Sequence, residues 1–366
     1  MVRCRRWCRG LILFCLPWLL SGCWDQLSMT QRAAAVVVYV TNTQHHQLEW
    51  TFYFPNPAVM VSSILNLSSK RQFYTTQVRA PSLLDAVERA SGTLARQIYM
   101  GQMEDILLSR NISSRQMAAI VDDYNRNGSW SKSAYMVVVP ATSHPLPIES
   151  QEPVPDVFYT SYFTCSTCHP LYLGEQEWQV WDELETPGVS TVLPYAAQSQ
   201  RPDQVMVYPQ QGPHYLWSRA QTKAWATLAN RMKRATITLV TAKGPIDIKD
   251  VRVRTTTHII MHHGELDVQA RVHAVGDLAG WPQSMLVTTK ELKWIEAQAS
   301  RCLIWWCTAA VQRANQTKTD PFGWGRAYLF SHPTVDALYS EEPTIEWPIT
   351  AHFTVTTHLF VTGVNT

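Results

Sequence analysis

The sequence is poor in charge and has no concentrated patch of either sign. Charged residues make up 16% of the 366 residues, and the formal net charge is +2. Four arginines lie within the first nine residues, and without them 27 basic side chains stand against 29 acidic ones. Nucleic-acid binding depends on a concentrated positive surface that neutralises phosphates, so this balance argues against nucleic acid as the main partner.

Motifs of the common enzyme classes are missing. There is no G-x-S-x-G nucleophile elbow, no P-loop and no glycine-rich dinucleotide motif. Glu175, Glu177, Glu183 and Glu185 lie close together in the chain, but no partner spacing supports acid–base catalysis. We therefore expect a protein that is not an enzyme and that uses no cofactor and no metal.

Long apolar runs are missing after residue 22, so no later segment is expected to cross a membrane as a helix. The first 22 residues instead have the three parts of an export signal. Positive charge lies between Arg3 and Arg9, an apolar stretch runs from Leu11 to Leu20, and the small residues Ser21 and Gly22 follow. The apolar stretch is shorter than the ~20 residues that a membrane-spanning helix needs. We predict a signal peptide over residues 1–22 that is removed.

The segment Leu20-Ser21-Gly22-Cys23 resembles a bacterial lipobox. Small residues before a cysteine give a signal peptidase access to the bond, and the thiol can take a diacylglyceryl group as a thioether. An N-acyl chain such as palmitate would add to the anchor, and two or more acyl chains hold a protein stably where one is marginal. We predict that the mature protein starts at a lipid-bearing Cys23 on the outer face of a membrane.

The order of patterned segments predicts an α+β (mixed α/β) fold with several domains. In the first part, strands are predicted at residues 33–40, 48–54, 72–80, 103–109 and 135–141. Helices are predicted from Ser82 through Ile98 and from Ser113 to Asn125. In the last part, helices are predicted at 217–234 and 286–314, and strands at 235–240, 247–261, 266–275 and 350–361.

Composition then divides the chain into a signal peptide and three domains. We predict an N-terminal mixed α/β domain over residues 23–143, a smaller variable middle domain over 144–215 and a C-terminal α+β domain over 216–366. The middle segment is rich in proline and has weak periodicity. In the last domain, the long helix is expected to lie on an antiparallel sheet through one apolar stripe. That stripe is Leu292, Ile295, Ala299, Cys302, Trp306 and Ala310.

The motif CSTCH, Cys165 to His169, allows several kinds of chemistry. C-x-x-C-H is the attachment pattern for covalent haem, with Cys165 and Cys168 as thioethers and His169 as axial ligand. In an oxidising compartment the same cysteines could form a local disulfide or remain thiols, and this reading is preferred to haem. A zinc site with Cys302 and Cys307 is a further alternative, although their spacing puts them on different faces of a helix. An absorption spectrum would identify haem, and a thiol titration would count the free cysteines.

The segment TDPFGWGR, residues 319–326, is predicted to be a structural turn after the long helix. Gly323 and Gly325 would allow positive φ there, and Phe322 and Trp324 could tuck back under the helix end.

Four segments together resemble the Ger(x)C family of spore germination lipoproteins. These segments are GCWD at 22–25 with the following AAAVVVYV strand, the helix and strand at 82–109, TDPFGWGRAYLF at 319–330 and the closing strand at 345–363. Gln102 stands where the family tends to have histidine, and CSTCH departs from the family's pattern.

The resemblance implies the C subunit of a nutrient germinant receptor. Such a subunit would be lipid-anchored and non-enzymatic, on the outer face of the cytoplasmic membrane or the inner spore membrane. It would assemble with the A-type and B-type membrane subunits of the receptor and bind membrane lipid through Cys23. The alternatives are a solute-binding lipoprotein of a transporter, which would have two similar lobes, and a haem-carrying electron-transfer lipoprotein.

Overall fold

The computed structural model describes residues 31–43, 47–56, 73–142, 158–165, 169–197, 201–242, 244–263, 265–280, 287–332 and 346–361. The predicted signal peptide, Cys23 and Cys168 lie outside these ranges. Within them, the helices are α1 (Leu83–Leu94), α2 (Ser114–Arg126), α3 (Phe158–Thr164), α4 (Glu177–Glu185), α5 (Arg219–Leu228), α6 (Thr289–Thr317) and α7 (Trp324–Ser331). The strands are β1 (Arg32–Ala34), β2 (Val37–Asn42), β3 (Leu48–Pro55), β4 (Phe73–Arg79), β5 (Gln97–Tyr99), β6 (Asp105–Ser109), β7 (Tyr135–Val139), β8 (Thr191–Ala196), β9 (Pro202–Tyr208), β10 (Tyr215–Trp217), β11 (Ala235–Thr241), β12 (Gly244–His262), β13 (Glu265–Gly280) and β14 (Glu346–Val361).

The larger sheet has eight strands in the order β10-β9-β8-β7-β6-β2-β3-β4. Its central strands β2, β6, β7 and β8 pair in parallel, and the outer strands pair antiparallel. Strands β6 and β7 are buried along their whole length, as expected for parallel strands covered on both faces. The mixed α/β class predicted for the chain is confirmed.

Strands from the proline-rich segment belong to this same sheet. β8 and β9 fall within residues 144–215, and β8 pairs with β7 of the N-terminal segment. The compositional boundary at residue 144 therefore does not coincide with an edge of the sheet, and the predicted division into domains remains a prediction.

Two local predictions in the N-terminal part need correction. The run at 33–40 is not one strand, because β1 pairs with β5 in a separate two-stranded sheet while β2 enters the large sheet. The helix predicted through Ile98 ends at Leu94, because Ala95 adopts the left-handed conformation (φ 51°). Ile98 then lies in β5. The N-terminal end is confirmed, since the Ser82 hydroxyl accepts a hydrogen bond from the Asp85 N–H at 3.3 Å.

The helix predicted at 217–234 is also shorter than expected. Trp217 ends β10, and α5 begins only at Arg219 after the cap residue Ser218. The helix stops at Leu228, and Asn230 follows with φ 59°, a conformation that asparagine tolerates better than most residues.

The smaller sheet has the order β11-β12-β13-β14 and carries the long helix α6 against β14. β12 and β13 form the predicted hairpin, and three of the four strands are antiparallel. β14 instead joins parallel to β13. Parallel neighbours need a crossover connection, and the segment containing α6 provides it.

The buried face of α6 is rotated relative to the predicted stripe. Ile295, Ala299 and Ala310 are buried as expected, but Leu303 and Cys307 take the places predicted for Cys302 and Trp306. Cys302 and Trp306 are only partly buried, at the edge of the contact between α6 and the core. The helix starts at a capping box in which Thr288 and Glu291 bond each other's backbone N–H groups.

The apolar core has two parts, one on each face of the large sheet. Val38 and Leu108 point to the face covered by α1, α2 and α4, where Leu83 and Met117 are also buried. The neighbouring residues on the same strands point to the opposite face. There, Leu107 and Val137 belong to a single cluster that continues into the small sheet and α6 through residues such as Ile248 and Leu303. One continuous core therefore joins the two sheets.

Two isoleucines on α6 provide a matched test of this core. Ile295 is fully buried, whereas Ile304 is 37% exposed. We expect Ile295→Ala to lower the free energy of unfolding by about 2–5 kcal/mol, because it removes buried methyl groups and leaves a cavity. Ile304→Ala should lower it by less than about 1 kcal/mol. Urea denaturation followed by tryptophan fluorescence would measure both, and equal losses would contradict this packing of the helix.

Candidate functional site at the junction of the two sheets

The turn between α6 and α7 is built around a buried carboxylate, that of Asp320. Its Oδ2 atom accepts a hydrogen bond from the Gly325 N–H at 2.7 Å, and its Oδ1 atom accepts one from the Phe322 N–H at 3.1 Å. Asp320 is 2% exposed. Burial raises the pKa of Asp320 to about 6, although backbone N–H groups of Gly325, Phe322 and the two residues between them act to lower it. The carboxylate thus satisfies backbone donors at the start of α7 that no helical carbonyl can reach.

The turn is fixed to two other parts of the chain by hydrogen bonds. The Ser190 N–H donates to the Asp320 carbonyl at 2.9 Å, and the Asp320 N–H donates back to the Ser190 hydroxyl at 3.1 Å. The Trp225 indole N–H donates to the Pro321 carbonyl at 2.7 Å. The segment before β8, helix α5 and the α6–α7 turn therefore meet at one point.

The predicted structural turn at TDPFGWGR is present, with one correction. Gly323 has φ 70° and is the residue before α7, as expected for a glycine that allows the left-handed conformation. Gly325 does not have positive φ; it lies inside α7 and is buried. The rings of Phe322 and Trp324 stack with centroids 4.4 Å apart and join the core, as expected.

A second polar cluster lies beside this turn and consists of glutamates and arginines. Glu175 and Arg231 form an ion pair between Oε1 and Nη2 at 2.5 Å, and the Glu175 side chain is almost completely buried. Arg326, on α7, pairs with Asp182 at 2.9 Å. Glu183 lies on the same helix as Asp182, and its Oε2 atom is buried without a hydrogen-bond partner among the described residues.

The two glutamates are close enough to affect each other's protonation. Burial raises the pKa of Glu175 to about 7, and the two arginines act to lower it. Burial raises the pKa of Glu183 to about 8, and the negative charge of Glu175 raises it further. Like charges in a dry site disfavour each other's ionised form, so the proximity of Glu175 adds to the upward shift of the Glu183 pKa. The two ion pairs of the cluster link α4 to α7, and the segment before α4 to the segment after α5.

Sequence patterns did not identify this cluster. In the sequence, Glu175 and Glu183 are neighbours without a partner at a suggestive spacing, and Arg326 is part of the predicted turn TDPFGWGR. Arg231 pairs with a residue 56 positions away, a separation that no local periodicity reveals. The one available signal is the apolar surrounding of Glu175 in LYLGEQEW, which indicates a buried carboxylate in need of a partner.

The CSTCH region lies near the same junction. Cys165 is disulfide-bonded, and Cys168 lies outside the described residues, so their pairing remains a prediction. A sulfur in a disulfide is not available for the thioether that the haem alternative requires, nor as a zinc ligand. His169 is buried between the rings of Tyr162 and Tyr172, with centroid distances of 5.0 and 6.2 Å, and burial lowers its pKa.

The other candidate ligands do not come together in the described part of the chain. Cys302 is half-buried and Cys307 is buried, and both are free thiols. No group of three or more His, Cys, Asp or Glu side chains among the described residues is arranged to hold a metal ion. Within the same ranges, no helix has the length and apolar character required to cross a bilayer.

Removal of the Asp320 carboxylate tests the first cluster. Asp320→Ala leaves at least two buried N–H groups without an acceptor, and we expect the free energy of unfolding to fall by about 2–5 kcal/mol. Asp320→Asn keeps one acceptor oxygen and should lose clearly less. Urea denaturation at pH 7.5 would compare them, and wild-type stability for the alanine variant would contradict this role.

The pH dependence of stability tests the second cluster. The pKa of Glu183 is raised in the folded state to about 8 from 4.5, so the folded protein binds more protons than the unfolded one in this window. The stabilisation is complete below pH 4.5 and is lost as the pH rises through about 8. Glu183→Gln, which resembles the protonated form, should flatten this loss and raise the melting temperature at pH 8.5. Glu185→Gln, at an exposed position of the same helix, should behave like the wild type. Parallel curves for both variants would exclude Glu183 as the titrating group.

Comparisons with known proteins match both sides of this junction. Residues 25–198 match the family model described as "Spore germination protein N-terminal domain", and residues 217–363 match the one described as "Spore germination B3/ GerAC like, C-terminal". Glu175 and Ser190 lie in the first matched segment, and their partners Arg231 and Asp320 lie in the second.

A solved structure, the "Crystal Structure of the GerBC protein", has a similar fold. The TM-score is 0.51 and the sequence identity 12%, with 88% of this chain and 96% of the other covered. A comparison with curated protein sequences finds no match. The two family matches together span the chain from residue 25 to residue 363, and the chain therefore belongs to the GerAC-like family of spore germination proteins.

Proposed function

We propose that this protein is a lipid-anchored, non-enzymatic subunit of a spore germinant receptor. The observation that carries the proposal is the position of the first family match. It begins at Asp25, two residues after the lipobox cysteine Cys23. The family segment thus starts where the mature chain would start, and the preceding residues have the composition of an export signal.

The lipid on Cys23 would place the protein on the outer face of the cytoplasmic membrane or of the inner spore membrane. There it would assemble with the A-type and B-type membrane subunits of the receptor. Exposed aromatic side chains support a role in protein contacts, because large aromatic residues are enriched at interfaces. Such side chains are Trp178, Trp294, Trp305, Phe330 and Phe360.

The structural roles of the buried charged side chains support the proposal that the protein is not an enzyme. Asp320 holds the backbone of a turn, and Glu175 holds Arg231 across the junction. These charged groups join segments of the fold, which suits a scaffolding or coupling subunit.

The architecture favours this function over that of a solute-binding lipoprotein. A solute-binding protein of the expected kind would have two similar lobes around a cleft. Here an eight-stranded sheet of mixed direction is joined to a four-stranded sheet with one long helix. These two parts are dissimilar, and one apolar core connects them.

Substitution of the lipobox cysteine tests the proposal. We expect Cys23→Ala to remove the acylation site, to release the protein from the membrane fraction and to abolish receptor assembly. Membrane fractionation, mass spectrometry of the N-terminal peptide and co-purification with the membrane subunits would measure these effects.

The matched control is Cys302→Ala, which removes a free, half-buried thiol in the folded domain. This variant should remain in the membrane fraction and assemble normally. Unchanged membrane retention of Cys23→Ala would refute the lipid anchor. Release from the membrane with intact receptor assembly would refute the requirement for anchoring in assembly.

A further inference from the structure

A cleft of about 530 Å³ opens at the junction between the two sheets. One wall comes from β7, the end of α3 and the loop before α4, and the other comes from the two residues before β11 and from β12. The volume lies in the range typical of small-molecule sites, which preferentially occur where separate parts of a fold meet.

The inner wall is aromatic and well ordered by its neighbours. Phe163 and Tyr135 are buried, and their ring centroids are 5.0 Å apart. Tyr135 exchanges side-chain hydrogen bonds with Tyr172 and Gln176, and burial raises the pKa of Tyr135 to about 12. The phenol therefore stays neutral at physiological pH. Arg231 packs on the Tyr172 ring, with its guanidinium carbon 5.4 Å from the ring centroid.

The rim of the cleft is positively charged. Lys233, Arg234 and Arg252 line it, and all three are exposed. Arg234 has a distant ion pair with Asp250 at 3.8 Å, and no carboxylate lines the cleft among the described residues. A concave site with surplus positive charge and low-dielectric walls attracts anions.

Backbone hydrogen bonds hold the two walls in a fixed relation. The N–H groups of Lys233 and Arg234 donate to the Pro170 carbonyl at 3.1 and 3.2 Å. The Tyr172 N–H donates to the Arg231 carbonyl at 2.8 Å. Lys233 and Arg234 are thus attached to the strip of chain that carries Tyr172, which is the arrangement of a preformed site.

We propose that this cleft binds a small organic anion, with a planar apolar body against the aromatic wall and a carboxylate or phosphate group at the rim. Arg252 and Arg234 offer planar guanidinium groups suited to either oxyanion, and Lys233 adds a point charge. Such a ligand would touch both family segments at once. The proposal is independent of the lipid anchor.

Titration calorimetry on the full chain in detergent would test the site with four probes that share one ring. These are benzoate, phenyl phosphate, benzyl alcohol and benzylamine. We expect benzoate or phenyl phosphate to bind, more weakly as salt is raised, and the neutral and cationic probes not to bind. The stronger of the two anions identifies the ligand class.

Variants of the rim make the test specific. Arg252→Gln and Lys233→Ala should each weaken binding of the anion at least tenfold. Arg271→Gln, at an exposed position on the neighbouring strand β13, should leave it unchanged. Melting temperatures equal to that of the wild type would show that the variants are folded. The proposal is overturned if neither anion binds, if benzylamine binds as tightly, or if the rim variants bind like the wild type.

Discussion

The arrangement of the two sheets depends on the hydrogen bonds that backbone N–H groups donate to the buried Asp320 carboxylate. The carboxylate binds backbone N–H groups at the start of α7, and the turn that it holds makes hydrogen bonds with Ser190 and Trp225. A charged group in so dry a position is costly unless its oxygens are satisfied. Here backbone N–H groups satisfy it, so the turn has one geometry and not several. The direction in which α7 leaves the turn, and with it the position of Arg326, follows from that geometry.

The apolar core explains why this turn needs a single backbone geometry. A single cluster runs from the large sheet into the small sheet and α6, so the two halves bury one shared surface. Apolar packing is non-directional and tolerates related arrangements. The polar contacts at its margin are directional, and the ion pair of Glu175 with Arg231 leaves an unpaired buried charge if the halves shift. Hydrophobic burial thus drives the association of the two sheets, and the buried charges select one relative position of the sheets.

Local signals in the sequence were sufficient for much of the secondary structure but not for its assembly. Ser82 caps α1 as the sequence predicts, the predicted second helix begins after Ser113, and TDPFGWGR forms a turn after the long helix. The same reasoning could not place β8 beside β7 or β14 parallel to β13, because strand order depends on contacts between distant segments. Helical spacing also predicts that α1 continues to Ile98, but that residue lies in β5, which pairs with β1. Local patterns do not predict the candidate site for the same reason, since each of its charged pairs joins remote parts of the chain.

The junction also bears on how the proposed lipid-anchored subunit would move as a unit. The first described strand begins at Arg32, nine residues after Cys23, and nine residues span at most about 30 Å when fully extended. With the proposed lipid on Cys23, β1 would therefore lie close to the membrane surface. Because the small sheet shares its core and its buried charges with the large one, the two would move as one body and not about a hinge. A change at the membrane would then reach the far end of α6 as a displacement of the whole subunit.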